Sequence, residues 1–199
     1  MASLRDFLTG IYWKIDNPSQ AGRVTLYDIN GNSQLMGVPI KNTYRASFIG
    51  APVATLTFSL RGSATKTIKV TKIGFSQIGT TSTYIDLSII KYSTIATGTA
   101  SLPTMVALDS TNSTSTGLVQ NWTVTPGTQT SVGVITSKKY LVPKLADNVV
   151  PELLQFDFGK GQRGTSNLIL RGVSECIGIN LSSLVAGSDA NIFIEWTEE

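Results

Sequence analysis

The chain has 199 residues, of which 41% are hydrophobic and only 15% charged, with 16 Lys+Arg against 13 Asp+Glu, a net charge of +3, no histidine and one cysteine. The absence of imidazole excludes Ser-His-Asp and Cys-His nucleophilic sites and histidine-built metal centres, and a lone Cys176 excludes an intrachain disulfide. The basic residues are scattered, with Lys138-Lys139 the only adjacent pair, so the chain lacks the basic stripe of a nucleic-acid binder; it also lacks the run of about 18 apolar residues that a membrane helix needs.

Residues 1–22 fit no regular pattern well. Leu4, Phe7, Leu8, Ile11 and Tyr12 fall at helical spacing, with Trp13 beside them, but Gly10 weakens a helix and Pro18 ends whatever precedes it. The expectation is an N-terminal arm over 1–22 that buries Leu4, Phe7, Leu8, Ile11, Tyr12 and Trp13 against a partner. Asp6 interrupts the apolar run of an export signal, so the chain reads as made in a cytoplasm. Residues 23–45 read as a β-hairpin and connector. Val24 and Leu26 start a strand that runs into Asn30-Gly31, a dipeptide suited to positive φ at a tight turn.

From 46 to 199 apolar residues recur with period two. Leu56, Phe58 and Leu60 share one face, followed by Ile68 and Val70; the phase then slips to Ile73 and Phe75, which predicts a β-bulge near Thr71-Lys72. Ile85, Leu87 and Ile89 alternate within 84–92. A Ser/Thr-rich stretch broken by Pro103 follows, then strands near 118–124 and 132–140. Pro151 limits the one helix-compatible segment, 145–154, to a turn. Further alternation at Leu154-Phe156-Phe158, Leu168-Leu170, Ile177-Ile179-Leu181 and Ile192-Ile194-Trp196 brings the count after residue 50 to eight or more strands. That number predicts an all-β, two-sheet β-sandwich of jelly-roll-like form. Leu60-Arg61-Gly62 and Leu170-Arg171-Gly172, each followed by a strand, form a faint internal echo.

The chemistry-bearing residues are few. Asp86, Asp109, Asp157, Glu175 and Glu195 lie on or near strands and could supply a carboxylate pair, but outward-facing acids are the simpler reading. Residues 159–164 lack the Lys-Ser/Thr and the helix of a P-loop and read as a basic hairpin loop. Cys176, beside Ile177 and Gly178, reads as a packed thiol. Trp122, beside a Thr-rich loop, is the one candidate for ligand stacking. No cofactor and no metal are implied.

The stretches GRVTLYDINGN, YRAS, IIKYST, LRGVSE and IEWTEE, in this order over most of 22–199, are similar to a group of small all-β proteins encoded in the structural gene clusters of tailed bacteriophages and prophages. The resemblance supplies no catalytic residues. It implies a virion component such as a capsid decoration (auxiliary) protein, a head fibre or a tail accessory, in contact with the major capsid protein or other head or tail subunits. A non-enzymatic homo-oligomer, with a trimer as one option, is the expectation. The alternative is a carbohydrate- or receptor-binding module of a tail or fibre, built around Trp122.

Overall fold

The computed structural model describes residues 41–94, 98–124, 126–127, 129–159 and 168–199, together with the backbone of four strands within 1–40. The chain divides into two compact units, Met1–Ile40 and Lys41–Glu199. The four strands of the first unit, β1 (Ser3–Arg5), β2 (Tyr12–Ile15), β3 (Val24–Tyr27) and β4 (Ser33–Leu35), form an antiparallel sheet in chain order. Leu4 pairs with Trp13, Trp13 with Leu26 and Leu26 with Gln34.

These strands replace the irregular conformation expected over 1–22 at three of the named residues. Leu4, Tyr12 and Trp13 lie in paired strands, because Tyr12-Trp13-Lys14-Ile15 has strong strand-forming character and Val24–Tyr27 supplies it with a hydrogen-bonding neighbour. Phe7, Leu8 and Ile11 lie outside the described residues, as do Asn30-Gly31 and residues 160–167, where most of the expected basic hairpin loop falls. The boundary to the second unit also falls earlier than 45/46. β5 (Asn42–Gly50) pairs along its whole length with the last strand and belongs to the sandwich.

The second unit continues with β6 (Leu56–Arg61), β7 (Ile68–Ile78), β8 (Thr83–Thr94), β9 (Ala100–Ser101), β10 (Met105–Ala107), β11 (Leu118–Trp122) and β12 (Thr130–Val142). A 3-10 turn at Leu145–Asp147 precedes β13 (Leu154–Asp157), β14 (Leu168–Leu170), β15 (Cys176–Leu181) and β16 (Asp189–Glu198). One sheet runs β10-β5-β16-β7-β13, with β14 also on β7; the other runs β12-β8-β15-β6-β11-β9. β13 and β14 pair with successive parts of β7, so they count together as one strand of that sheet. Counted that way, the eight main strands lie in the order first-last-third-sixth and second-seventh-fourth-fifth, the jelly-roll arrangement of two interlocked Greek keys. The segment between β8 and β12 extends both sheets, β10 beside β5 and β11 beside β6.

The alternating positions make the core. Phe58, Leu60, Ile85, Leu87, Ile89, Ile177 and Ile179 face Ile68, Val70, Ile73, Phe75, Ile192, Ile194 and Trp196, all buried. The phase slip is a bulge: Glu195 pairs with Lys72 and Trp196 with Val70, leaving Thr71 as the extra residue. The bulge lets both Val70 and Ile73 point inward. A smaller apolar cluster of Ala54, Leu56, Tyr92, Trp122 and Cys176 packs beside this core.

Candidate interaction surfaces

Antiparallel pairing places the loops of the sandwich at two ends, and the two ends differ in chemistry. β5 ends at Gly50 opposite Ala190, β7 ends at Ile78 opposite Asp189, and β8 begins at Thr83 opposite Val142. The loops 51–55, 79–82, 143–153 and 182–188 therefore close one end together. They carry only three charged residues, Lys144, Asp147 and Glu152. Large apolar side chains stand exposed at or next to these loops: Ile49 at 76%, Val53, Tyr84, Leu145, Val150 at 87% and Leu153.

The backbone beneath them is fixed. Gly79 N–H donates to Pro143 O at 2.9 Å, and Leu145 N–H donates to Gly79 O at 2.8 Å. Tyr140, packed edge-on against Phe75 with ring centroids 5.2 Å apart, accepts from Gln77 N–H at 3.0 Å and donates to Glu152 O at 2.9 Å. Gln77 Nε2 donates to Ser188 Oγ at 2.6 Å, and Ser188 Oγ donates to Val185 O at 2.7 Å. Asn148 takes the left-handed conformation, φ 52°, which closes the turn after Leu145–Asp147. An apolar surface held this way needs little ordering when a partner covers it.

The opposite end, where the chain enters the sandwich at Lys41, is built from charge. The Glu198 side chain is fully buried. Its Oε1 accepts from Ser115 Oγ at 2.6 Å, Gly117 N–H at 3.1 Å and Trp196 Nε1 at 3.2 Å, and its Oε2 accepts from Thr116 Oγ1 at 2.9 Å, with Lys66 Nζ at 3.4 Å. Burial alone would raise this carboxyl, but the hydrogen bonds from Ser115, Gly117 and Thr116 overcome it and bring the pKa down to about 2. Tyr44 OH donates to Ser113 O at 2.8 Å, and Leu108 N–H donates to Thr43 O at 2.9 Å. The segment 108–117 is thus tied to the sandwich.

The expected ligand residue, Trp122, is core. It is 1% exposed, donates through Nε1 to Ser59 Oγ at 2.8 Å, and packs with Leu56, Tyr92 and Cys176. Gly98 lies so close that a Cβ there would come within 2.8 Å of the indole, so the chain after β8 covers the ring a sugar would stack on. Leu4, Tyr12 and Trp13 are placed in β1 and β2 of the first unit.

Three of the candidate carboxylates are held in ion pairs. Asp86 meets Lys139 at 3.4 Å, Glu195 sits between Arg45 at 3.4 Å and Lys72 at 3.8 Å, and Glu175 meets Lys91 at 3.3 Å. Asp109 Oδ1 accepts from Thr111 N–H and Oγ1 in its own turn, which lowers its pKa. Among the described residues no three His, Cys, Asp or Glu side chains gather where a metal could bind. Burial raises the Cys176 thiol to about 12, far from the range of a reactive thiolate.

No protein-family model, no curated protein and no solved structure matches the chain.

Proposed function

We propose that the chain is a non-enzymatic structural protein of a tailed-phage particle, a capsid decoration (auxiliary) protein that attaches through the apolar loop end of its sandwich. The observation that carries this reading is the pairing of a nearly uncharged, apolar loop end with a backbone locked by buried hydrogen bonds. Exposed apolar side chains gathered in one place mark interaction sites, and Ile49, Val53, Tyr84, Leu145, Val150 and Leu153 stand exposed at or next to the loops remote from Lys41. A rigid jelly roll used as a spacer, with docking at one end, suits a subunit that sits on a large assembly. The sequence resemblance to phage structural proteins supplies the kind of assembly.

The first unit supports association as well. At about 40 residues, domains usually need disulfides, metals or oligomerisation to stay folded. Met1–Ile40 contains neither cysteine nor histidine, and cover of this small sheet by another protein surface is in keeping with a homo-oligomer. The carbohydrate-binding alternative loses its stacking residue with the burial of Trp122.

The test is incorporation. Gradient-purified particles should contain the wild-type chain at a fixed copy number by quantitative mass spectrometry. The double variant Leu145→Asp, Val150→Asp should melt like the wild type and be lost from particles. A chain found only in the soluble lysate, never with particles, overturns the proposal.

A further inference from the structure

The two Leu-Arg-Gly segments that echo each other in sequence meet in space at the charged end. A Cβ on Gly62 would lie 2.2 Å from the carbonyl oxygen of Gly172, and Gly62 N–H donates to Glu175 O at 2.9 Å. Gly172 itself has φ 68°, a conformation that side chains disfavour. Both glycines are therefore required for the close approach of the two turns.

Between the turns opens a cleft of about 270 Å³, lined by residues 63–67 on one side, by Arg171 and Gly172 on the other, and by Glu199. Ser63 is buried, and its Oγ accepts from Thr65 N–H and Lys66 N–H, both at 3.2 Å. These bonds fix the turn that carries Lys66.

The charges around this cleft do not cancel. Glu199 is held by Lys69 at 2.6 Å and by Lys41. Glu198 already accepts from five groups besides Lys66. Glu175 is taken by Lys91 at 3.3 Å and by the backbone N–H of Arg171 at 2.8 Å. Among the described residues, no carboxylate lies within ion-pair distance of the Arg171 guanidinium. The crowding is felt by Lys69, whose pKa is lowered by burial first and then by the positive charges of Lys41 and Arg171.

We propose that this cleft binds an oxyanion, a carboxylate or a phosphate group, with Arg171 supplying a planar donor fork and Lys66 a second positive charge. A guanidinium engages two anion oxygens at once. Lys66 keeps donors to spare, because an ammonium carries three N–H groups and its one carboxylate partner, at 3.4 Å, is saturated by other donors. The site stands independently of docking through the apolar end, because it lies at the other end of the sandwich.

The experiment is a titration of the ¹⁵N-labelled full chain at constant ionic strength with inorganic phosphate, with acetate, and with chloride as the control. Saturable amide shifts confined to residues 63–67 and 171–173 are expected, and Arg171→Gln, an exposed position, should weaken binding about tenfold or more while leaving the melting temperature unchanged. Saturation by both anions supports the shared chemistry, saturation by phosphate alone assigns a phosphate group, and saturation by acetate alone assigns a carboxylate. Shifts that never saturate, that match chloride, or that persist unchanged in Arg171→Gln overturn the proposal.

Discussion

Glu198→Gln isolates the charge at the centre of the network that closes the charged end. The substitution keeps the shape of the side chain but replaces one acceptor oxygen with an amide that faces donors from Thr116 and Lys66. The wild-type carboxyl is held at about 2 against an ordinary value of 4.5, and each unit of such a shift corresponds to about 1.4 kcal/mol. The charged form therefore stabilises the fold by about 3 kcal/mol near neutral pH. Because the folded-state pKa lies below the unfolded one, this contribution is fully present above about pH 5 and is lost as pH falls through 4.5 toward 2. At pH 7 the variant should lose about 3 kcal/mol, or about 6–12 °C in melting temperature for a chain of this length. The assay is urea denaturation of both proteins at intervals from pH 7 to pH 3. The two stabilities should converge as the acid limb is descended. A constant difference at every pH, or no difference at pH 7, would refute the assignment of Glu198 as a buried, charged anchor.

Two further outcomes follow from the smaller apolar cluster. Trp122→Ala should destabilise the protein by about 3–5 kcal/mol, the cost of emptying a large aromatic site, with the Ser59 hydroxyl losing its donor; urea denaturation measures this, and a change below about 1 kcal/mol would contradict the burial of the indole. Cys176 should react with a thiol reagent such as DTNB only at the rate of unfolding, because its thiol is buried and its pKa is about 12. Fast labelling of the native protein would contradict that.

The sandwich was legible in the sequence because its strands alternate cleanly and the core positions are β-branched, aromatic or leucine. Even the bulge at Thr71 showed as a slip between Val70 and Ile73, since the two-residue period must break where an extra residue enters the ladder. The anchor Glu198 also had a signal: Ile192, Ile194, Trp196 and Glu198 form one period-two series, so the carboxylate continues the inward face of β16. What period alone cannot show is which donors meet it, and Ser115, Thr116 and Gly117 come from a loop about 80 residues earlier. Trp122 misled for a related reason. Its neighbours Thr123 and Val124 are exposed, yet the ring is covered by residues around Gly98 and Ala100, and no local pattern predicts that contact. The strands of the first unit left little trace in the sequence because Leu4, Phe7, Leu8 and Ile11 fall at helical rather than alternating spacing, whereas pairing with Val24–Tyr27 decides the conformation of Tyr12–Ile15.

Docking through the apolar loop end is tested most directly by cryo-electron microscopy of intact particles, at a resolution that traces β5 to β16 and so fixes the orientation of the sandwich. The predicted map places loops 79–82 and 143–153 against the particle shell, with Leu145 and Val150 covered and the Arg171 cleft turned away. A map in which those loops face solvent while another surface of the sandwich meets the shell would contradict it.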